Sequence, residues 1–148
     1  GPSVPVHLTE FMDGRGKPAA SGPLDGAGRR SLYLEVRRNF LAPFLQVFDF
    51  PTPFTTIGRR NVSSVPAQDL ALMNDPLVHE LAAHWSARLA RETPAPEARV
   101  QRAYREAFAR APSPDELARA LDFLAGCADA WPDYLHALVQ AKEFRHVR

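Results

Sequence analysis

The sequence predicts a mainly α-helical protein: a small helical bundle of about five helices with an irregular Gly/Pro-rich N-terminal arm, and with one short strand as an option. Three segments from residue 97 onward repeat apolar residues at intervals of three and four, which is the period of an α-helix. Short links join these segments and indicate antiparallel neighbours in a bundle. The first thirty residues hold six of the eight glycines, a composition typical of irregular backbone.

The length of 148 residues predicts a single domain, which we expect to be a fragment of a larger protein. Within it, residues 1–30 are predicted to form the arm, residues 31–62 a short strand or helix plus a turn, and residues 63–148 the helical bundle. The arm has too few apolar residues for a core of its own. Its order is therefore expected to come from packing against the helices or against a neighbouring domain.

Two different patterns precede the bundle. Residues 31–36 (SLYLEV) alternate apolar and polar side chains, which predicts a half-buried strand, with a helix start as the alternative. Residues 39–48 (NFLAPFLQVF) are strongly apolar and predict a short buried helix with Pro43 in its first turn. The prolines in residues 49–54 (DFPTPF) end that helix. Its predicted apolar face consists of Phe40, Phe44, Leu45 and Phe48.

Capping residues mark the next two helices. Ser64 is predicted to cap a helix over residues 65–73, which ends at Asn74. Asp75 then serves as the cap, and Pro76 as the first residue, of a longer helix. The residues that follow in it at spacings of three and four are Leu77, Leu81, His84, Trp85, Arg88 and Leu89.

The last three helices have the clearest signals. Residues 97–110 form the first of them, and Ser113 with Glu116 forms a capping box that predicts a helix from Pro114 to about Gly126. Pro132 begins the last one. The predicted inner faces are Val100, Ala103, Tyr104, Ala107 and Phe108; Leu117, Leu121 and Leu124 with Phe123 beside them; and Tyr134, Leu135, Leu138 and Val139 toward Phe144.

Charge and composition make several classes of protein improbable. Eighteen basic against seventeen acidic residues give a net charge of +1, which provides no general attraction to nucleic acid. No run approaches the ~18 apolar residues of a membrane span, so membrane insertion is not expected, and the N-terminus lacks the pattern of a signal peptide. The single Cys127 excludes an internal disulfide and an all-thiolate zinc site.

Most of the chain resembles a known family of domains of unknown function. The resemblance is carried by LDGAGRRSLYLEVRRNFLAPFLQVFDFPTPFTTIGRRNVSSVPAQDLALMNDPLV and by the distal motifs YREAFARAPSPDEL and YLHALVQAKEFRHV. Such domains form the C-terminal part of large planctomycete-type proteins that often carry a cytochrome c-like domain near the N-terminus. The resemblance implies an exported parent, periplasmic or at the cell surface, whose other domains are the partners of this one. It implies no catalytic residue.

Three Arg-Arg pairs are the candidate binding residues. Their guanidinium groups could converge on a sulfate, phosphate, uronate or acidic peptide, because each offers a fork of donors matched to such oxygens. The alternative, which we favour, is that they form internal ion pairs with Asp25, Glu35, Asp49 and Asp75. The candidate residues for an anionic ligand or for docking are Arg29, Arg30, Arg37, Arg38, Asn39, Arg59, Arg60 and Asn61.

The remaining polar residues predict neither a metal site nor a reaction centre. His79 and His84 are five residues apart, about 140° around a helix, so they cannot form a helical metal pair. Each has an acidic residue four positions earlier, which indicates surface hydrogen bonding. No phosphate-binding glycine motif or nucleophile elbow is present. We therefore expect no cofactor, no metal and no catalytic constellation in this fragment.

The function predicted from these observations is that of a non-catalytic helical module that docks onto neighbouring domains of an exported multidomain protein. One alternative is binding of sulfated or acidic polysaccharide through Arg37, Arg38, Arg59 and Arg60. Another is an accessory part of an enzyme that upstream domains complete.

Overall fold

The computed structural model describes residues 1–6, 13–23, 25–51, 53–54, 56, 58–59, 65–126 and 129–145. The protein is mainly helical, as predicted, and divides into two compact units. The first comprises Gly1–Ala71 with Asp75–Leu77, and the second comprises Leu72–Asn74 with Val78–Arg148. Across the described ranges, every helix is too short or too polar to cross a membrane.

The irregular arm belongs to the first unit and is fixed there by backbone hydrogen bonds. The amide of Val4 donates to the carbonyl oxygen of Tyr33, and the amide of Glu35 donates to the carbonyl oxygen of Val4, each at 2.8 Å. Near the end of the arm, Gly26–Gly28 forms a 3₁₀ turn, and the carboxylate of Asp25 accepts a hydrogen bond from the amide of Ala27 there. The arm is thus ordered by pairing with the segment that follows it in sequence.

The strand predicted for residues 31–36 does not form. Ser31–Tyr33 is a 3₁₀ turn, and among the described residues Leu34 makes a single isolated parallel bridge, with Val4. The side chain of Leu32 is 81% exposed and that of Val36 is 53% exposed, so the alternating residues share no buried face. A segment with alternating residues forms a strand when a neighbouring strand continues the ladder of hydrogen bonds. Within the described ranges, Val4 pairs with this segment at a single bridge, so the ladder does not extend.

The first α-helix, α1, spans Pro43–Val47 and begins at the predicted proline. It starts later than expected, because Ala42, the residue before Pro43, adopts the extended backbone that a following proline favours. Phe40 is buried but precedes the helix, whereas the rings of Phe44 and Phe48 pack together with centroids 5.0 Å apart. Helix α2 spans Pro66–Asn74, and its Gln68 Nε2 donates to the carbonyl oxygen of Val47 at 3.1 Å.

The predicted cap of α3 is confirmed, and that of α2 is a residue that the structure does not describe. Val65 is the N-cap of α2 and makes no side-chain hydrogen bond there, while the predicted cap, Ser64, lies outside the described residues. Helix α3 spans Pro76–Glu92, and Asp75 Oδ1 accepts from the amide of Leu77 at 2.9 Å, which confirms the predicted cap.

The buried stripe of α3 differs from the predicted spacing. It consists of Val78, Ala82 and Leu89, with Trp85 packed beside them, whereas Leu81 is 48% exposed. Apolar residues stand side by side in this helix, as Leu77 with Val78 and Leu81 with Ala82. Periodicity alone therefore does not show which of the two adjacent faces is buried.

The remaining helices also belong to the second unit. They are α4 (Pro96–Phe108), α5 (Pro114–Ala125), α6 (Trp131–Gln140) and α7 (Lys142–Arg145). Both hydrogen bonds of the predicted capping box are present: Glu116 N donates to Ser113 Oγ at 3.2 Å, and Ser113 N donates to Glu116 Oε2 at 2.7 Å. The buried cluster is formed by Leu89, Val100, Ala103, Tyr104, Ala120, Leu135 and Leu138.

Candidate functional site

Two of the candidate arginines are used inside the first unit. The guanidinium of Arg29 lies 4.2 Å from the centre of the Tyr33 ring, and its Nη1 donates to the carbonyl oxygen of Pro2 at 2.6 Å. Arg37 Nε donates to Glu35 Oε1 at 2.7 Å, and its Nη1 donates to the carbonyl oxygen of Gly16 at 3.4 Å. These two side chains therefore hold separate parts of the arm against residues 33–37.

Three other candidate arginines are presented to solvent. Arg30, Arg38 and Arg59 are exposed, and their guanidinium groups make no hydrogen bond or ion pair with any residue that the structure describes. Asn39 is exposed as well, and Arg60 and Asn61 lie outside the described residues. Each of the first two Arg-Arg pairs thus contains one internally bonded arginine and one exposed arginine.

Of the four carboxylates proposed as internal partners, one pairs with arginine and two bind backbone amides. Glu35 pairs with Arg37, as the ion-pair hypothesis expects. Asp25 and Asp75 instead accept hydrogen bonds from the backbone amides of Ala27 and Leu77. Two of the acidic side chains predicted to pair with arginine therefore cap helical turns instead.

Large apolar side chains are exposed in the same part of the chain as these arginines. Leu32, Val36 and Phe54 have 81%, 53% and 67% of their surface exposed. Leu32 is two residues from Arg30, and Val36 is two residues from Arg38. Exposed aliphatic or aromatic groups beside arginine are the composition found at protein interfaces.

The second unit contains a cleft that sequence reasoning did not identify. It has a volume of about 380 Å³ and lies among α4, α5 and α6. It is lined by residues of all three helices: Tyr104 of α4, Glu116, Arg119, Ala120 and Phe123 of α5, and Tyr134 and Ala137 of α6. The available signal was the spacing of Glu116, Arg119 and Phe123 at i, i+3 and i+7, which places them on one helix face.

The acidic group of this cleft is held in an ion-pair network. Arg110 donates to both carboxylate oxygens of Glu116, at 2.8 and 2.9 Å, and thereby lowers the pKa of Glu116 to about 2. The same guanidinium donates to both oxygens of Glu143, at 2.7 and 2.8 Å. The two carboxylates raise the pKa of Arg110. Glu116 is therefore a charged structural group and not a proton donor near neutral pH.

The tyrosines of the cleft also remain neutral near pH 7. Burial raises the pKa of Tyr134 well above its usual range, and burial likewise raises the pKa of Tyr104. The hydroxyl oxygen of Tyr134 is buried and makes no hydrogen bond of normal geometry with a described residue, although its side chain interacts with that of Tyr104. These groups cannot serve as general bases at neutral pH, because the phenolate form is disfavoured.

A second ion-pair network joins α3 to α4. Glu106 accepts from Trp85 Nε1 at 2.6 Å, from Arg88 Nη2 at 2.6 Å and from Arg102 Nε at 3.0 Å. Hydrogen bonding to Arg88, followed by the smaller effects of Trp85 and Arg102, lowers the pKa of Glu106 to about 2. Arg102 also bonds Glu92. The low pKa of Glu106 is therefore explained by hydrogen bonds that join α3 to α4.

Two histidines unexpectedly lie together in the second unit. The rings of His79 and His136 have centroids 4.1 Å apart. Nε2 of His136, which is buried, lies 2.8 Å from the carbonyl oxygen of Leu72, and Nε2 of His79 lies 3.0 Å from that of Met73. Asp75, the expected partner of His79, is hydrogen-bonded to a backbone amide instead.

The described part of the chain contains no group of three or more histidine, cysteine or acidic residues that could hold a metal ion. His7, Cys127 and His146 fall in stretches that the structure does not describe.

No curated protein matches the chain, and no solved structure matches it. A family model does match, over residues 1–124, which include the first unit and the second as far as the last turn of α5. The chain belongs to the family described as PSD1, Protein of unknown function (DUF1553).

Proposed function

We propose that this domain is a non-catalytic interaction module that docks onto neighbouring domains of an exported multidomain protein. The observation that carries the proposal is the exposure of Arg30, Arg38 and Arg59, without partners in the described structure, in a segment that also exposes Leu32 and Phe54. Arginine combines a planar cation with an apolar stem, so it contributes to interfaces by both ion pairing and packing.

Prior ordering of this segment supports the proposal. Arg29 and Arg37 tie residues 33–37 to the arm through Pro2 and Gly16. A surface that is already ordered loses less conformational entropy on binding than a flexible one. The exposed arginines that adjoin these two residues are thus carried on a backbone that does not need to fold on contact.

A non-catalytic role is supported by the bonding of the two acidic groups whose pKa values are lowered to about 2. Glu106 and Glu116, whose pKa values are both lowered to about 2, are bound to arginine guanidinium groups. A general acid or base needs a pKa near the working pH. An accessory role in an enzyme completed by other domains is the alternative, and deletion of this domain without loss of the parent's activity would remove it.

The test is binding in trans between this domain and the remainder of the parent polypeptide. We expect replacement of Arg30, Arg38 and Arg59 by Gln to weaken the complex at least roughly tenfold, as loss of interface arginines does. A matched variant with Arg91, Arg105 and Lys142 changed to Gln alters three exposed cations of the second unit and should bind like the native domain. Equal binding by all three proteins would refute the docking surface.

A second candidate function is recognition of an acidic or sulfated polysaccharide by the same arginines. The exposure of Arg38 and Arg59 favours it, whereas Arg37 is already bonded to Glu35. Titration with heparin at low and raised salt separates the two candidates. Binding that is absent at low salt would end this one, because ionic attraction between exposed groups is strongest there.

A further inference from the structure

We propose that the cleft among α4, α5 and α6 binds a small planar anion, of which an aromatic carboxylate is the simplest form. This site lies wholly within the second unit and uses none of the candidate arginines of the first. It is therefore independent of the docking function proposed above. Its volume of about 380 Å³ falls within the range of small-molecule pockets, which is roughly 300–1,000 Å³.

Arg119 is the cation that the cleft offers to an anion. Its two charged lining residues are Glu116 and Arg119, and the carboxylate of Glu116 is bound to Arg110, which also binds Glu143. Arg119 Nε donates to the carbonyl oxygen of Asp115 at 3.2 Å, while its Nη1 and Nη2 make no hydrogen bond to the residues that are described. These two nitrogens form a fork that matches the oxygens of a carboxylate.

The position of Arg119 leaves that fork available. Asp115 and Asp122 lie four residues before it and three residues after it on α5, yet neither carboxylate forms an ion pair with it within the described structure. The Nε bond to the backbone of α5 fixes the root of the side chain. A ligand would therefore meet a cation whose position is already restricted and whose terminal donors are unused.

The apolar surface of the cleft favours a ring. Phe123 lies one turn of α5 after Arg119 and is 53% exposed, a large fraction for a phenylalanine beside a cleft. Its ring centroid is 6.3 Å from that of Tyr134, with 35° between the ring planes. The small side chains of Ala120 and Ala137 leave room beside these rings. Aromatic rings stack or pack edge to face at such separations, so a planar ligand can join them.

The two parts of the site lie on one face of α5. Residues at i and i+4 are neighbours on a helix, so the cation of Arg119 and the ring of Phe123 are separated by about one turn. That distance is comparable to the separation between the ring and the carboxylate of an aromatic acid. The raised pKa values of Tyr104 and Tyr134 keep both hydroxyls uncharged, so that neither repels the anion.

The experiment is a titration with 2-naphthoate, followed by methyl NMR of protein labelled at its alanines. We expect the methyl signals of Ala120 and Ala137 to shift, with a dissociation constant of about 1 mM or lower. The uncharged analogue 2-naphthalenemethanol should bind roughly tenfold more weakly, since it cannot pair with Arg119. Arg119→Gln and Phe123→Ala should each weaken naphthoate binding by a similar factor.

The controls use exposed residues outside the cleft. Arg105→Gln removes an exposed cation of α4, and Leu81→Ala removes an exposed apolar side chain of α3; both variants should bind like the native protein. Arg119→Lys keeps the charge but loses the fork, and it should show intermediate affinity.

Three results would overturn the proposal. They are the absence of shifts at Ala120 and Ala137 up to about 10 mM naphthoate, equal affinity for the uncharged analogue, and shifts confined to alanines of the first unit such as Ala42. Shifts confined to the first unit would mean that naphthoate binds the exposed arginines there and not the cleft, so this outcome distinguishes the two sites.

Discussion

Arg37 and Glu35 lie two residues apart and are joined by a 2.7 Å hydrogen bond between Nε and Oε1. The next residue, Arg38, is exposed and has no partner in the described structure. One arginine of the pair therefore orders the arm, whereas its neighbour is available for contact. Arg29 and Arg30 divide in the same way, since Arg29 contacts Tyr33 and Pro2.

The first prediction separates these two roles. Arg37→Gln should lower the free energy of unfolding by about 0.5 kcal/mol, because it removes a partly exposed ion pair and the contact with Gly16. It should also speed amide exchange at Val4 and Glu35, whose hydrogen bonds attach the arm. Arg38→Gln is the matched control and should change neither quantity. Equal effects of both substitutions would argue against the division.

The second prediction concerns acid stability. Glu106 and Glu116 have pKa values of about 2 in the folded protein, below the ordinary value of 4.5. Since the unfolded chain binds more protons in this range, their contribution is present above pH 4.5 and is lost as the pH falls toward 2. Denaturant titrations at a series of pH values should show this loss. Glu106→Gln should reduce the acid dependence and cost on the order of 1 kcal/mol at pH 7.

The third prediction tests the capping box of α5. Ser113→Ala removes the acceptor of the Glu116 amide and should lower stability by about 1 kcal/mol, whereas Ser113→Gly should cost only a few tenths. Chemical denaturation measures both. An alanine variant as stable as the native protein would mean that the Arg110–Glu116 contact holds the start of α5 without the cap.

The fourth prediction uses the buried hydroxyl of Tyr134. Because this oxygen makes no hydrogen bond of normal geometry with a described residue, Tyr134→Phe should leave stability at neutral pH unchanged or raise it by up to about 1 kcal/mol. The positive control is Leu135→Ala, at the next residue of α6, whose side chain is fully buried. It should lower the free energy of unfolding by about 2–5 kcal/mol and so show that the assay detects changes in this core. A clear loss in Tyr134→Phe would indicate a hydrogen bond that the structure does not contain.

The same tyrosine predicts a loss of stability in alkali. Burial raises its pKa in the folded state, so the unfolded chain releases this proton at lower pH than the folded one. The stability that the neutral hydroxyl of Tyr134 contributes should therefore be fully present below the ordinary pKa of 10, and it should decline as the pH rises above that value. Tyr134→Phe should show a shallower decline when both proteins are unfolded by denaturant across that range.

The parts of the fold that sequence predicted best are those determined by local chemistry. The capping box of Ser113 and Glu116 and the cap at Asp75 depend on residues close in sequence, and both are present. The strand expected over residues 31–36 depended on a distant partner, and Val4 provides only one bridge. In α3, apolar residues at two adjacent registers left the buried face undetermined.

The candidate sites required tertiary information. No spacing rule states that Arg29 will stack on Tyr33 while Arg30 stays exposed, because that depends on where the arm returns to the chain. The cleft beside Arg119 and Phe123 needs Tyr104 and Tyr134 from two other helices. The contact between His79 and His136 likewise joins helices far apart in sequence. Such groupings follow from packing and not from sequence periodicity.

Hydrogen exchange of this domain, measured alone and within the parent polypeptide, tests the docking function most directly. The account predicts that amides of residues 30–39 exchange at least about tenfold more slowly in the parent, whereas those of α5 keep their rates. Unchanged exchange over residues 30–39, with the parent intact, would contradict it.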